Sequence, residues 1–234
     1  METQIDTLKS LAKSELFEIL NYWSFETIDE KNGGFIGEID FNNHKNFDAP
    51  KGSVLHARIL WSFSAAFQIT NDEKHKLLAK RAFDYIVSNF YDKQFGGIFW
   101  SINADGSPRE TKNQIYAIAF TIYGLTEYYK ICKEKNALDL AIDLYKKIEL
   151  HSYDNLKEGY FEAFTRDWQP IDDLRLSEKD ANEKKTMNTH LHIVEAYANL
   201  YSVWENADLK FKIAKILHVI DVYFIDKKTW HLKL

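Results

Sequence analysis

Apolar residues recur three and four apart over long stretches of this chain, the spacing that lines one face of an α-helix. "LKSLAKSELFEILNYWSF", "KHKLLAKRAFDYIVSNFY", "NALDLAIDLYKKIEL" and "DLKFKIAKILHVIDVYF" all carry it,. The pattern predicts seven helices, at roughly 5–25, 52–69, 72–90, 113–131, 136–150, 187–204 and 207–225. Between them lie short alternating stretches, "GFIGEID" and "GIFWSINADGSP", that read as β-hairpins, the second with an Asp105-Gly106 turn,.

The pattern is periodic. "DEKNGGFIGEID", "YDKQFGGIFWSI" and "NLKEGYFEAFTRDW" align on Gly34, Gly97 and Gly159, in steps of 63 and 62 residues. A fourth copy, "DKKTWHLKL" from Asp226, has lost both glycines. Pro50, Pro108 and Pro170 keep similar time, and each falls outside the predicted helices, as the missing N–H requires,. A period near 60 residues marks a repeat architecture in which helical hairpins stack as an open solenoid or a closed ring. The second, fourth and sixth helices each follow a hairpin, so they run parallel. Their N-termini, "KGSVLHARILW", "KNQIYAIAF" and "MNTHLHIVEAY", gather on one side, and a site is expected there.

Composition narrows the picture. The chain has 234 residues, 45% hydrophobic and 28% charged, which describes an ordinary globular protein read as one domain over 1–234,. A net charge of −5 with no basic run argues against nucleic acid as a partner,. No apolar run approaches the ~18 residues of a membrane helix, so no membrane partner is expected either. The N-terminal stretch carries charges throughout and lacks a signal-peptide core. Cys132 stands alone and permits no intrachain disulfide, which points to the cytoplasm,.

The histidine pair in "MNTHLHIVEAYANLY" raises the question of a metal. Helical positions two apart lie about 200° apart around the axis, so His190 and His192 face different ways and no shared ion is expected. Asn188, His192 and Glu195 share one polar stripe, which faces either solvent or a polar cavity. Arg58 lies among Leu55, Ile59, Trp61 and Phe63 and reads as a buried arginine that needs a carboxylate or a polar ligand,. Tyr116 begins the stripe Tyr116, Phe120, Tyr123, for which a core role is the plainer reading. The polar connection 171–185 is long enough to be a lid, from which Asp180 could reach a ligand.

Taken together, "KGSVLHARILWSFSAAF", "GGIFWSINADGSP", "KNQIYAIAF" and "RLSEKDANEKKTMNTHLHIVEAYANLY" resemble cellobiose 2-epimerases, part of the larger N-acylglucosamine 2-epimerase group. The resemblance runs through essentially the whole chain. It implies an all-α (α/α)6 barrel with short β-hairpins at one end, six inner helices ringed by six outer ones. The second, fourth and sixth helices would be inner, and about seven of the twelve helices are present. It also implies reversible C2 epimerisation of the reducing-end glucose of β-1,4-linked disaccharides, without cofactor or metal. The route is ring opening and a cis-enediolate, chemistry that suits a histidine base.

Carried over by position, Arg58 would hold the substrate oxygens near the reacting carbons. His192 would assist ring opening and proton handling, with Arg58 and His192 as the catalytic pair. Tyr116 and Asn188 would bind the sugar and His190 would only pack or hydrogen-bond; Asp180, on the long connection, is a further candidate for sugar binding that the resemblance does not supply. Two further histidines and the sugar-stacking tryptophans of the family have no counterpart here. The expectation is therefore a fragment, a truncated product, or a barrel completed by another chain, with self-association to cover apolar surface. Rival readings are an N-acylglucosamine 2-epimerase, an aldose–ketose isomerase, and a non-catalytic sugar-binding helical repeat. A glycoside hydrolase needs two flanking carboxylates, and no pair stands out at the helix mouths.

Overall fold

The computed structural model describes residues 2–233. All seven helices form: α1 (Glu2–Glu26), α2 (Ser53–Thr70), α3 (Glu73–Tyr85), α4 (Ile115–Cys132), α5 (Lys135–His151), α6 (Met187–Tyr201) and α7 (Ala207–Val219). Local chemistry sets several ends. The side chains of Asp72 and Asn206 accept the Lys74 and Leu209 amides at the starts of α3 and α7,. Asn71 and Lys133 turn left-handed, at φ 54° and 56°, and close α2 and α4,. The periodicity ran α3 and α7 on to 90 and 225. There the chain instead forms π-helical turns, Ile86–Phe90 and Ile220–Phe224. Neither segment contains Gly or Pro, so nothing in the sequence marks the change of hydrogen-bond pattern,.

The helices form two layers. Among the inner three, α4 lies between α2 and α6 and packs on both, while α3, α5 and α7 pack behind α2, α4 and α6 respectively. Gly124 permits the closest inner approach, since a Cβ there would stand 2.7 Å from the Ala57 carbonyl oxygen,. Ile118, Ile122 and Leu125 of α4 are wholly buried, each contributing about 1.5–3 kcal/mol of apolar burial. Helix α1 is mostly exposed and reaches the core through Leu16, Leu20 and Trp23. Among the described residues no helix is long and apolar enough to cross a membrane.

The strands correct one expectation. β1 (Glu38–Ile39) and β2 (Lys45–Asn46) do make an isolated hairpin. The others do not stay apart: β3 (Lys51–Gly52), β4 (Phe99–Ile102), β5 (Pro108–Gln114) and β6 (Ala163–Phe164) form one antiparallel sheet in that order. The physical reason is the length of β5, whose 7 residues pair with β4 along one side while Asn113 and Gln114 take Phe164 and Ala163 on the other. A single sheet thus crosses three periods and forms the rim from which α2, α4 and α6 descend.

Each period opens with the same turn. Asp29, Asp92, Asp154 and Asp226 accept the amide two residues on with a carboxylate oxygen, at 3.0, 2.9, 2.9 and 2.8 Å,. The residue four positions after each aspartate is left-handed: Gly33, Gly96, Glu158 and Trp230, at φ 76°, 75°, 57° and 62°. The fourth copy therefore keeps the turn without its glycines. Three of the aspartates also meet a cation: Lys51 at 2.8 Å, Arg166 at 2.6 Å and Lys185 at 2.7 Å. Burial works to raise the Asp29 carboxyl, but Lys51 and the turn amides outweigh it and hold it below the usual range,.

Candidate active site

Three and four apart along each inner helix, one stripe faces the open inner side. It comprises Arg58 and Ser62 of α2, Tyr116, Phe120 and Tyr123 of α4, and Asn188, His192 and Glu195 of α6. The parallel helices bring four of these together. The Arg58 guanidinium Nη2 donates to the Tyr116 hydroxyl at 3.3 Å, and its carbon lies 4.4 Å from the Phe120 ring centroid. The His192 ring meets Tyr116 edge-on at 4.8 Å and Phe120 at 4.3 Å. His192 Nδ1 stands 2.6 Å from Glu195 Oε2. The carboxylate therefore accepts a hydrogen bond from Nδ1–H and leaves Nε2 as the nitrogen free to meet a ligand.

Arg58, Phe120, His192 and Glu195 border a cavity of about 360 Å³, completed by Ser62, Trp61 and Tyr123, the last two stacked at 5.4 Å. Arg58 departs from expectation: it is exposed rather than buried. Its apolar neighbours Ile59, Leu60 and Phe63 point into the core, while Arg58 lies on the opposite face of the helix,. Its charge is neutralised by no carboxylate among the described ion pairs. Deeper along the stripe, Glu127 accepts from Gln68, Lys130 and Asn199, which closes the far end with a polar network.

Asn188 and Asp180 line a second cavity, of about 550 Å³, together with Glu162, Arg175 and Met187. The connection 171–185 roofs it. Gln114 Nε2 and Lys112 Nζ donate to the Arg175 carbonyl at 2.8 and 2.9 Å, so the predicted lid is pinned to β5. Asp180 uses its carboxylate locally, accepting from the Ser177 amide and hydroxyl at 2.8 and 2.9 Å. The five candidate residues thus divide: Arg58, Tyr116 and His192 form one cluster, and Asn188 and Asp180 border the second cavity.

The histidine pair separates as its spacing requires. His190 is fully buried, and its Nε2 accepts the Tyr160 amide at 2.9 Å while Nδ1 donates to the Thr186 carbonyl at 2.7 Å. Burial pushes its pKa down to about 4, which keeps it neutral,. Among the described residues no group of three or more His, Cys, Asp or Glu side chains is placed to hold a metal ion.

Two side chains that border these cavities were not read from the sequence as site residues. Trp61 sits one turn beyond Arg58, so the stripe itself signalled it. Glu162 is a buried carboxylate, 2% exposed, at the mouth of α6. Its signal was a lone acid inside the aromatic run "GYFEAF", easily mistaken for the outward position of a strand.

Comparison with known proteins shows the family and the fold. The model of the N-acylglucosamine 2-epimerase family matches residues 34–233. A cellobiose 2-epimerase of Bacteroides fragilis is 48% identical over 230 residues, covering 98% of this chain and 59% of that protein. The solved cellobiose 2-epimerase of Bacillus thermoamylovorans superposes with a TM-score of 0.89 at 35% identity, over 97% of this chain and 58% of the other. A D-mannose isomerase structure, at 19% identity over 91% of this chain and 51% of its own, gives 0.77, a likeness of fold alone. The chain spans about three fifths of the length of these epimerases.

Proposed function

The chain belongs to the N-acylglucosamine 2-epimerase family, whose cellobiose 2-epimerase structures share its (α/α)6-barrel fold, and on that premise we propose that it epimerises C2 of a reducing-end sugar. The substrate is a β-1,4-linked disaccharide such as cellobiose. The observation that carries this reading is the contact of Arg58, Tyr116 and His192, one residue from each inner helix, at a single mouth.

In this mechanism His192 Nε2 assists ring opening and proton transfer at C2, and Glu195 fixes the tautomer that leaves Nε2 basic,. Loss of the C2 proton moves an electron pair into the C1–C2 bond and negative charge onto the oxygens. The Arg58 guanidinium, fixed by the Tyr116 hydroxyl and the Phe120 face, stabilises that enediolate,. Reprotonation from the other face completes the inversion. Asn188 and Asp180 bind hydroxyls of the sugar extending into the second cavity.

We further propose self-association, supported by the exposed apolar side chains Phe211, Leu217, Tyr223 and Trp230,. A cytoplasmic setting is supported by the lone Cys132,. The test is NMR of the chain with cellobiose in D2O. Deuterium at C2 with appearance of the mannose epimer supports the reading. Ketose formation from mannose moves it to an isomerase, and binding without C2 exchange leaves a sugar-binding module.

A further inference from the structure

We infer that Glu162, which lies outside the Arg58–His192 cluster, is a positioning residue for the mouth of α6. It holds the segment bearing Asn188 and His192 in register with the substrate, an inference that rests on the function proposed above. Its Oε1 accepts the Thr186 amide at 2.7 Å and its Oε2 accepts the Thr189 hydroxyl at 2.5 Å. Thr186 is the N-cap of α6, and its own hydroxyl accepts the Thr189 amide at 3.3 Å. In a capping box the third helical residue supplies a carboxylate that reaches back to the N-cap amide. Here that third residue is Thr189, and the carboxylate arrives instead from the segment entering β6. Helix and sheet are thereby fastened at one point.

The device is particular to this helix. Neither Gly52 of α2 nor Gln114 of α4 caps its helix with a side chain. The positions that match Glu162 in the first two periods are Gly37 and Trp100. A Cβ at Gly37 would stand 2.2 Å from the Pro50 oxygen, so no side chain fits there. Asn188 lies between the two threonines that Glu162 holds, and it lines the same cavity as Glu162. His192 follows one turn later. A rotation of the α6 mouth would therefore move both out of place, whereas the core contacts of Ile193, Ala196 and Tyr197 further along would persist.

The test compares Glu162→Ala, Glu162→Gln and Thr189→Val by amide hydrogen exchange and by cellobiose titration. Glutamine keeps an oxygen for the Thr186 amide and offers an N–H to the Thr189 hydroxyl, which then accepts. The expected result for alanine is about tenfold faster exchange confined to the α6 mouth, with cellobiose affinity reduced and the melting temperature of the rest of the chain retained. Glutamine restores both readouts, and Thr189→Val gives an intermediate loss. Unchanged exchange and affinity in folded Glu162→Ala overturns the inference, as does uniform loosening of the whole chain. If alanine fails to fold, the Thr189→Val and glutamine pair decides. If the unsubstituted chain binds no cellobiose, the proposed function fails, while the exchange pattern still judges Glu162.

Discussion

His56 and His190 hold the same post in the first and third periods. Each Nε2 accepts the amide that follows the opening turn, Phe35 at 3.3 Å and Tyr160 at 2.9 Å. Each Nδ1 meets the carbonyl of its own helix cap, Gly52 at 3.0 Å and Thr186 at 2.7 Å. An imidazole in this position is a neutral link between turn and helix, and protonation would destroy its acceptor.

Acid should therefore unfold the protein earlier than its carboxylates would. Burial lowers both imidazoles to about 4, against 6.5 when unfolded. The unfolded chain thus binds protons that the folded one refuses, and stability falls as pH drops from 6.5 toward 4. Glu162 works the other way. Burial raises it to about 7, so the cost of its buried charge is relieved between pH 7 and 4.5. Two imidazoles outweigh one carboxyl, and denaturant titration should find a net loss of about 2 kcal/mol over that interval. In Glu162→Gln the loss should grow to about 5 kcal/mol. A flat profile down to pH 5 would contradict the assignment.

The turn cations should differ in worth by burial. Lys51 and Asp29 are 1% and 0% exposed, whereas Lys185 and Asp154 are 22% and 12% exposed. Lys51→Ala leaves a carboxylate sealed without a counter-charge and should cost about 3–5 kcal/mol. Lys185→Ala admits water and should cost about 1–2 kcal/mol. Urea midpoints of the two variants measure the contrast, and equal losses would sink it.

Substitutions in the cluster should separate by role. His192→Ala should lower C2 exchange from cellobiose by about 10²–10⁴-fold, the span of a lost acid–base group. Glu195→Gln keeps shape but removes the charge that holds Nδ1–H, so a smaller loss is expected. Arg58→Lys loses the planar stack on Phe120 and should weaken affinity and rate together,. Exchange that survives His192→Ala would remove this histidine from the mechanism.

Gly97 should resist substitution. Its φ is 93°, and an added Cβ would lie 2.1 Å from Asn113 Oδ1. Asn113 Nδ2 donates to the carbonyls of Thr165 and Arg166 at 3.1 Å each, so displacing it breaks a link between periods. Gly97→Ala should cost at least about 2 kcal/mol in thermal or urea unfolding. A loss below the value for an exposed helical glycine would show that the turn relaxes freely.

Helix number and order were legible because each period repeats one apolar pattern, while the inner-outer assignment came with the family resemblance. The opposed directions of His190 and His192 followed from helical geometry alone. Arg58 misled, because its apolar neighbours in sequence lie on a different face of α2. The continuous sheet was illegible, because β3 and β6 are two residues each and owe their existence to β5. Glu162 was hidden for a related reason. Its partners Thr186 and Thr189 lie beyond the long connection, and no local pattern joins them.

The β3-β4-β5-β6 sheet also limits how this architecture can vary. Stacked repeats that touch only their neighbours can gain or lose a unit at little cost. Here excising the second period would remove both β4 and β5 and leave β3 and β6 without partners. Each unit depends on strands supplied by the next. The rim makes the three periods one mechanical unit.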